Sequence, residues 1–320
     1  MRTLKQLQAA NITDTSTANI TEFQDTFLSK EIIRFAEALR YFRQAVKENT
    51  TLVRSGDNTL RVPKSTSHLD ITTSHTEGAE RTYTEMTNLD TVDITPSFKL
   101  GAVAITKELV DTSRVDLIDQ AKYVVAQAIE EDIEKAITAE IDTTVDSTNV
   151  VYGGDATSPD GLAAGDTITT DLVADAIKLV KDNNFVPAYL FIKPAQEAVF
   201  FKSSQFTNAA EYGNNEVVLN GEIGKYLGVK VITSTLTQSY AANDTDKGIN
   251  KNWGVAGTSC QLVGLTAGKI PPIVLAWKLK PSITYEYLPR YANHYIYYDA
   301  AYGVKVIQPK AICRIKVADA

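Results

Sequence analysis

Histidine, cysteine and surplus basic charge are all scarce in this 320-residue chain, which has three His, two Cys, and 32 Lys and Arg against 39 Asp and Glu. The net charge of -7 and pI near 5.2 argue against a protein whose main task is gripping nucleic acid, since such surfaces gather cations to displace counterions. Cys260 and Cys313 cannot build a disulfide framework, and neither belongs to a Cys-x-x-Cys pair, so both read as small buried hydrophobes. His68 and His75 lie seven apart in a strand-like stretch, hence on opposite faces, and His294 is remote from both. No spacing brings them the carboxylates that a metal centre would need, and no metal or other cofactor is expected. Long apolar runs are missing too. Pro271 to Trp277 is broken by Lys278 and Lys280, well short of the roughly 18 residues of a membrane span. Met1 to Ala18 carries Arg2 and Lys5 but no apolar stretch, so it is not expected to be a secretory signal. The expectation is a soluble chain made in a reducing cytoplasm, without a membrane partner. The Asn-x-Thr triplets at Asn11, Asn19, Asn49 and Asn243 then read as chance in a chain rich in both residues.

Catalytic motifs are equally thin. Gly221-Glu-Ile-Gly224-Lys225-Tyr226 invites a phosphate-binding loop, but Tyr226 stands where Ser or Thr is required and Leu219 where the first Gly is required. Tight turns before a strand at Val229 explain those glycines better. Glu130, Glu131, Asp132 and Glu134 form an acidic cluster on a predicted helix. Glu130 and Glu134 share a face and Glu131 faces Lys135, the pattern of a solvated, salt-bridged surface. Asp155, Asp160 and Asp166 lack the spacing of a calcium loop. A protein without enzymatic activity is expected.

What the chain does contain is a threonine-rich extended segment that runs into one long amphipathic helix. Twelve threonines fall between Thr50 and Lys99, where apolar residues alternate as in Leu69 with Ile71 and Val92 with Ile94, the pattern of half-exposed strands. A two-stranded ribbon of this kind is marginal alone and must lie on another surface. After Pro96 comes a buried-looking strand, Phe98 to Thr106. Ser113-Arg-Val-Asp116 then supplies a capping-box-like start, and Leu117, Ala121, Val124, Ala128, Ile129, Ile133, Ile137 and Ile141 recur at helical spacing. A helix from Val115 to Ile141 would span roughly 40 Å.

At 44% hydrophobic and 22% charged, the chain can bury a sizeable core in one large or two moderate domains. The first 28 residues read as a polar arm. Ser29 reads as the N-cap of a helix through Lys47, with Arg34, Arg40, Arg43 and Lys47 away from its apolar side. Gly153 to Asp166 is a loop cluster and the expected subdomain boundary. Beyond it, a helix capped by Thr170, a strand at Ala188 to Ile192, a helix opened by Pro194 and a strand from Gly228 to Thr233 alternate. From Pro272 onward the pattern is almost wholly strand. The predicted class is α+β, with no regular βαβ succession. Tyr285, Tyr287, Tyr291, Tyr295, Tyr297, Tyr298 and Tyr302 crowd this region with only Arg290 as an interleaved cation, which favours sheet packing and subunit contact over base stacking.

Several stretches, taken in order, carry a resemblance: Glu77-Gly-Ala-Glu80, Pro96 to Leu109 leading into Asp116-Leu-Ile, Ala188 to Pro194, Gly224 to Ser234, and Ala301 to Ala311. From about Asn49 onward the chain resembles the major capsid proteins of tailed viruses (bacteriophage or archaeal), which share the Hong Kong 97 fold. The resemblance implies an N-terminal arm and helix (1–49), an extended β-hairpin loop over a neighbouring subunit (50–95) and a peripheral domain with the spine helix (96–153). It further implies an axial domain (154–278) and strands that return to the peripheral domain (279–320). It implies self-assembly into an icosahedral shell of pentamers and hexamers enclosing double-stranded DNA, in a virion assembled in the host cytoplasm. Copies of the chain, a portal protein and a separate scaffold protein are the expected partners, since about 28 residues before the first helix are too few for a fused scaffold. Candidate assembly contacts are Glu77, Glu80, Arg81, Glu130, Glu131 and Glu134. Arg34, Arg40, Arg43 and Lys47 are the candidate interior basic face, touching DNA weakly and non-specifically. Two other readings stay open: an encapsulin-like compartment that encloses enzymes, and an extracellular surface-array or adhesin protein, against which the lack of a signal peptide speaks.

Overall fold

The computed structural model describes residues 12–13, 41–53, 56–66, 88–113, 116–144, 148–202, 225–242, 253–266 and 268–319. Two sheets flank one long helix. The first sheet has the order β1-β5-β13-β12-β2, built from β1 (Ile12–Thr13), β2 (Val46–Asn49), β5 (Ser97–Thr106), β12 (Ile273–Leu288) and β13 (Asn293–Val306). The second contains β6 (Val150–Tyr152), β14 (Ile312–Ala318), β11 (Gly257–Leu265), β7 (Val186–Ile192), β9 (Val229–Thr233) and β8 (Lys225–Tyr226) in that order, with β10 (Ser239–Tyr240) beside β11. A separate antiparallel pair, β3 (Leu60–Ser65) and β4 (Leu89–Ile94), forms the described part of a hairpin.

Among the described residues the helices are α1 (Lys107–Thr112), α2 (Leu117–Thr144), α3 (Thr170–Asp182) and α4 (Pro194–Lys202). Asp116, not Ser113, starts the long helix α2, because its Oδ1 accepts the backbone N–H of both Ile118 and Asp119 at 3.1 Å. Ser113 instead closes the short helix α1, donating its N–H to Leu109. Thr169 caps α3 by accepting from the N–H of Leu172. Between β8 and β9, Leu227 and Gly228 both adopt positive φ (46° and 85°), the geometry of a two-residue hairpin turn, which accounts for Gly228 without a phosphate.

Two expectations change at the N-terminal side. The predicted helix from Ser29 to Lys47 does not run to its end: Phe42–Ala45 is a single 3-10 turn and Val46–Asn49 is β2, parallel to β12. Phe42, Ala45 and Val46 bury their side chains in the main core, and strand pairing with Ile273 to Ala276 overrides the local helical pattern. The strand after Pro96 is not buried along its length, since Phe98 is 62% and Leu100 65% exposed. Only its later part, at Ala104 and Ile105, reaches the core.

The main core gathers Val125, Ile129, Ile133, Ile137 and Ile141 of α2 with Phe42, Phe191, Val263, Leu275 and Trp277. A second core packs α3 through Val173, Ala176, Ile177 and Val180 onto Leu190, Leu262 and Ile315 of the second sheet. The closing strands divide between the sheets: β12 and β13 complete the first, and β14, buried along its whole length, pairs with β11 in the second. β11 is a central strand that the sequence reading passes over, because Thr258, Ser259 and Gln261 interrupt its apolar pattern.

Candidate functional site

The hairpin β3–β4 projects two unlike faces. On one, Leu60 pairs with Ile94 and Val62 with Val92, and these pack at the base against Val274, Ala276 and Ile307. Gly303 permits this approach, since a Cβ there would lie 3.1 Å from Ile94 and 3.2 Å from Pro96. On the other face Arg61 forms a two-pronged pair with Asp93 at 2.8 and 2.9 Å. Further out on the apolar face, in line with Leu60 and Val62, Lys64 meets Asp90 at 3.2 Å. The Arg61 hydrogen bond holds the Asp93 carboxyl below its ordinary pKa, and the N–H of Thr91 does the same for Asp90, followed by Lys64. The described arm is thus fastened at its base and satisfied in charge along its length, while Leu89 remains 60% exposed.

The spine helix carries two buried stripes at four-residue spacing. The apolar one uses Val125, not the half-exposed Val124. Beside it runs a polar stripe of Glu134, Thr138 and Asp142, buried to 1%, 0% and 1% exposure. Glu134 corrects the reading of a solvated acidic face. Its carboxylate accepts the N–H groups of Phe42 at 2.8 Å and Arg43 at 3.3 Å, tying the 3-10 turn to the spine. Burial raises its pKa, and the two backbone hydrogen bonds partly offset that rise. At 1% exposure the Glu134 carboxylate is thus engaged within the chain, unlike the surface acid expected for an assembly contact.

Glu130 and Glu131 stay near the surface but are engaged within the chain, with Arg43 at 2.7 Å and Lys135 at 2.6 Å. Arg43 also bonds Glu48 at 2.7 Å and lies over the Trp277 ring, so it is a packed ion-pair partner and not part of a free basic face. Lys47 is exposed. Glu77, Glu80, Arg81, Arg34, Arg40, His68 and His75 lie outside the described residues.

Thr138 and Asp142 join the spine to the second sheet. Gln261 Nε2 donates to the Thr138 carbonyl at 3.0 Å and Gln238 Nε2 to the Thr138 hydroxyl at 2.9 Å. Asp142 accepts from the hydroxyls of Ser259, at 2.6 Å, and Tyr240, while Arg314 Nη1 donates to its carbonyl at 2.5 Å. Lys316, also buried, has its ammonium near the Tyr152 and Trp253 rings. Burial, and then the nearby Arg314, lower its pKa from 10.5 to about 8. Sequence reasoning missed this seam. The signal available was the four-residue recurrence of Glu134, Thr138 and Asp142 along one helix.

The tyrosines split by role. Tyr302 is buried and its hydroxyl donates to Asp132 at 2.5 Å; burial, then Asp132, raise its pKa. Tyr295 and Tyr297 stack at 5.9 Å between centroids on the sheet surface. Tyr285 and Tyr287 flank His294, whose Nδ1 lies 2.5 Å from the Tyr285 hydroxyl. Between β5 and α2 runs an open groove of about 590 Å³ lined by Phe98, Leu100, Val103, Val124, Ala128 and Tyr298. Among the described residues no group of three or more His, Cys, Asp or Glu could hold a metal ion, and no helix is long and apolar enough to cross a membrane.

Against known proteins, the profile of a family described as phage capsid protein matches residues 92–315. No curated protein matches the chain by sequence. Solved structures share the fold at low identity. The acid-stable capsid of Helicobacter pylori bacteriophage KHP30 is 12% identical over 97% of this chain and 100% of that one, with a TM-score of 0.73. The capsid of cyanophage P-SCSP1u is 15% identical over 93% and 94%, with a TM-score of 0.70. The capsid of Ralstonia phage GP4 is 14% identical over 92% and 95%, with a TM-score of 0.69. The α+β arrangement of two sheets around a spine helix is therefore the Hong Kong 97-like fold.

Proposed function

Because this chain belongs to the phage capsid protein family, we propose that its copies close into an icosahedral shell of pentamers and hexamers around double-stranded DNA. The chain is a structural major capsid protein and resides in the virion. The observation that best supports the finer reading is the hairpin β3–β4. It leaves the body with its own charges paired and much of its surface exposed, which suits an arm that gains its remaining contacts from a neighbour.

In this reading residues 50–95 lie over an adjacent subunit, residues 96–153 with β13 and the part of β12 from Leu279 onward form the peripheral body, and residues 154–278 meet their copies around the symmetry axes. β14, by its pairing with β11, goes with the axial sheet. Glu130 and Glu131 are contacts only where a neighbour competes for their present cations. The role is wholly structural, and a portal and a separate scaffold protein are the further partners. Packaged DNA is held weakly and non-specifically, as the charge of -7 requires. Lys47 can contribute to that contact, whereas Arg43 is already neutralised.

Electron microscopy of the expressed chain, with and without a co-expressed scaffold, tests the proposal. Closed particles of uniform diameter are the expected result; a folded monomer under both conditions would overturn it.

A further inference from the structure

One short segment touches both sheets and the spine. Val46–Asn49 lies parallel to Ile273–Ala276 of the first sheet, and Glu48 accepts the indole N–H of Trp277 at 3.2 Å. Just before that strand, Glu134 of the spine holds the N–H groups of Phe42 and Arg43. Toward the second sheet the same turn reaches with side chains alone. The Phe42 ring stacks on Phe191 of β7, with centroids 4.2 Å apart and an interplanar angle of 23°, and Gln44 accepts from Lys230 Nζ of β9 at 3.0 Å. Tyr41–Asn49 therefore straps the second sheet to the first sheet and the spine, and the chain runs on from it to the hairpin at Leu60. The strap is held unequally at its two sides. On the first sheet and the spine it has a backbone ladder, whose register cannot slip without turning every side chain over, and the ion pairs of Arg43 with Glu48 and Glu130. On the second sheet it has one ring stack and one exposed hydrogen bond. Offset rings keep contact while they slide, and an exposed hydrogen bond exchanges with water at little net cost.

We infer that Tyr41–Asn49 is an adjustable strap that sets the inclination of the second sheet to the first, and with it the curvature at which copies of the chain join. The pivot is the buried seam at Thr138 and Asp142, whose directional hydrogen bonds fix the second sheet to the spine. Glu134, where the strap is tied down, lies roughly 12 Å along the helix from Asp142, far enough for a small slide at Phe42 to tilt the sheet. This role rests on the reading of a shell of pentamers and hexamers, because rings of five and of six meet their neighbours at different angles and one chain must serve in both. Since the strap leads into the hairpin, a neighbour that grips the hairpin pulls on the element that sets the tilt.

Distances between spin labels on the full-length, unassembled chain test the strap. Asp175→Cys on α3 and Thr284→Cys on β12 place one label on each sheet's side at exposed positions, and the native Cys260 and Cys313 are buried away from the reagent. With the strap intact the distance distribution should be narrow. Phe42→Leu, which shortens the side chain that bears on Phe191, should widen it about twofold, and so should Gln44→Ala combined with Lys230→Ala. That pair removes only an exposed hydrogen bond, so it decides the matter alone where Phe42→Leu fails to fold. Val180→Ala, confined to the second core, should leave the distribution narrow. Strap variants as narrow as the wild type overturn the inference. So does a wild type already as wide as they are, or a Val180→Ala chain that widens equally, since general loosening then explains the change. In assembled particles the strap variants should give closed shells of mixed diameter by electron microscopy. Shells of uniform wild-type diameter from chains with widened distances overturn the assignment of curvature to the strap. A wild-type chain that builds no particle counts against the shell reading and leaves the distance measurement standing.

Discussion

Lys316 and Glu134 show how single buried charges shape this chain in opposite directions of pH. For Lys316 the folded pKa, about 8, lies below the ordinary 10.5, so the unfolded chain holds the proton more tightly. Its contribution to stability is present above the ordinary value and is lost as pH falls through about 8. Replacing it by Met should therefore favour the variant most at pH 7, with the gap closing in favour of the wild type by pH 10; urea midpoints at the two pH values measure this. For Glu134 burial raises the folded pKa, so its contribution is full at acidic pH and is lost as pH rises through that raised value. Glu134→Ala removes the acceptor of the buried Phe42 N–H and the part-buried Arg43 N–H and should cost about 1–3 kcal/mol. Chemical denaturation checks the size, and loss of protection at the Phe42 and Arg43 amides in hydrogen exchange checks the cause.

At the level of elements, α2 is the member on which both sheets depend. Its apolar stripe was legible from the spacing of Ile129, Ile133, Ile137 and Ile141, and all four are buried. Its polar stripe was not, because acidic and hydroxyl side chains on a helix ordinarily face water, and only the donors on β11, β10 and the 3-10 turn make their burial tolerable. The same pairing explains why β11 was overlooked: Ser259 and Gln261 look wrong for a central strand until the spine's acceptors are opposite them. Ile137→Ala, at the centre of the packed stripe, should cost about 2–5 kcal/mol, whereas Val124→Ala, on the half-exposed groove side, should cost well under half of that. Thermal or urea denaturation of the unassembled chain separates the two; equal losses would mean the stripe is misassigned.

For the whole molecule the prediction concerns the arm. Replacing residues 60–94 by a short turn removes the packing of Leu60, Val62, Val92 and the buried Ile94 on Val274, Ala276 and Ile307, a cluster separate from both main cores. The variant should stay folded, with its circular dichroism and denaturation midpoint largely retained, and should fail to form closed particles by electron microscopy. Particles of normal yield would sink the role given to the hairpin. The α+β class and the long helix are readable from residue order alone, since periodicity and residue type are local properties that survive without a fold. That Val46–Asn49 is a strand, that Glu134 and Asp142 are buried and that β2 pairs with β12 from Ile273 to Ala276 is settled by contacts across the fold. Each of those depends on what lies opposite a residue across the chain, and a partner residue 92 or 117 positions away leaves no trace in the local pattern.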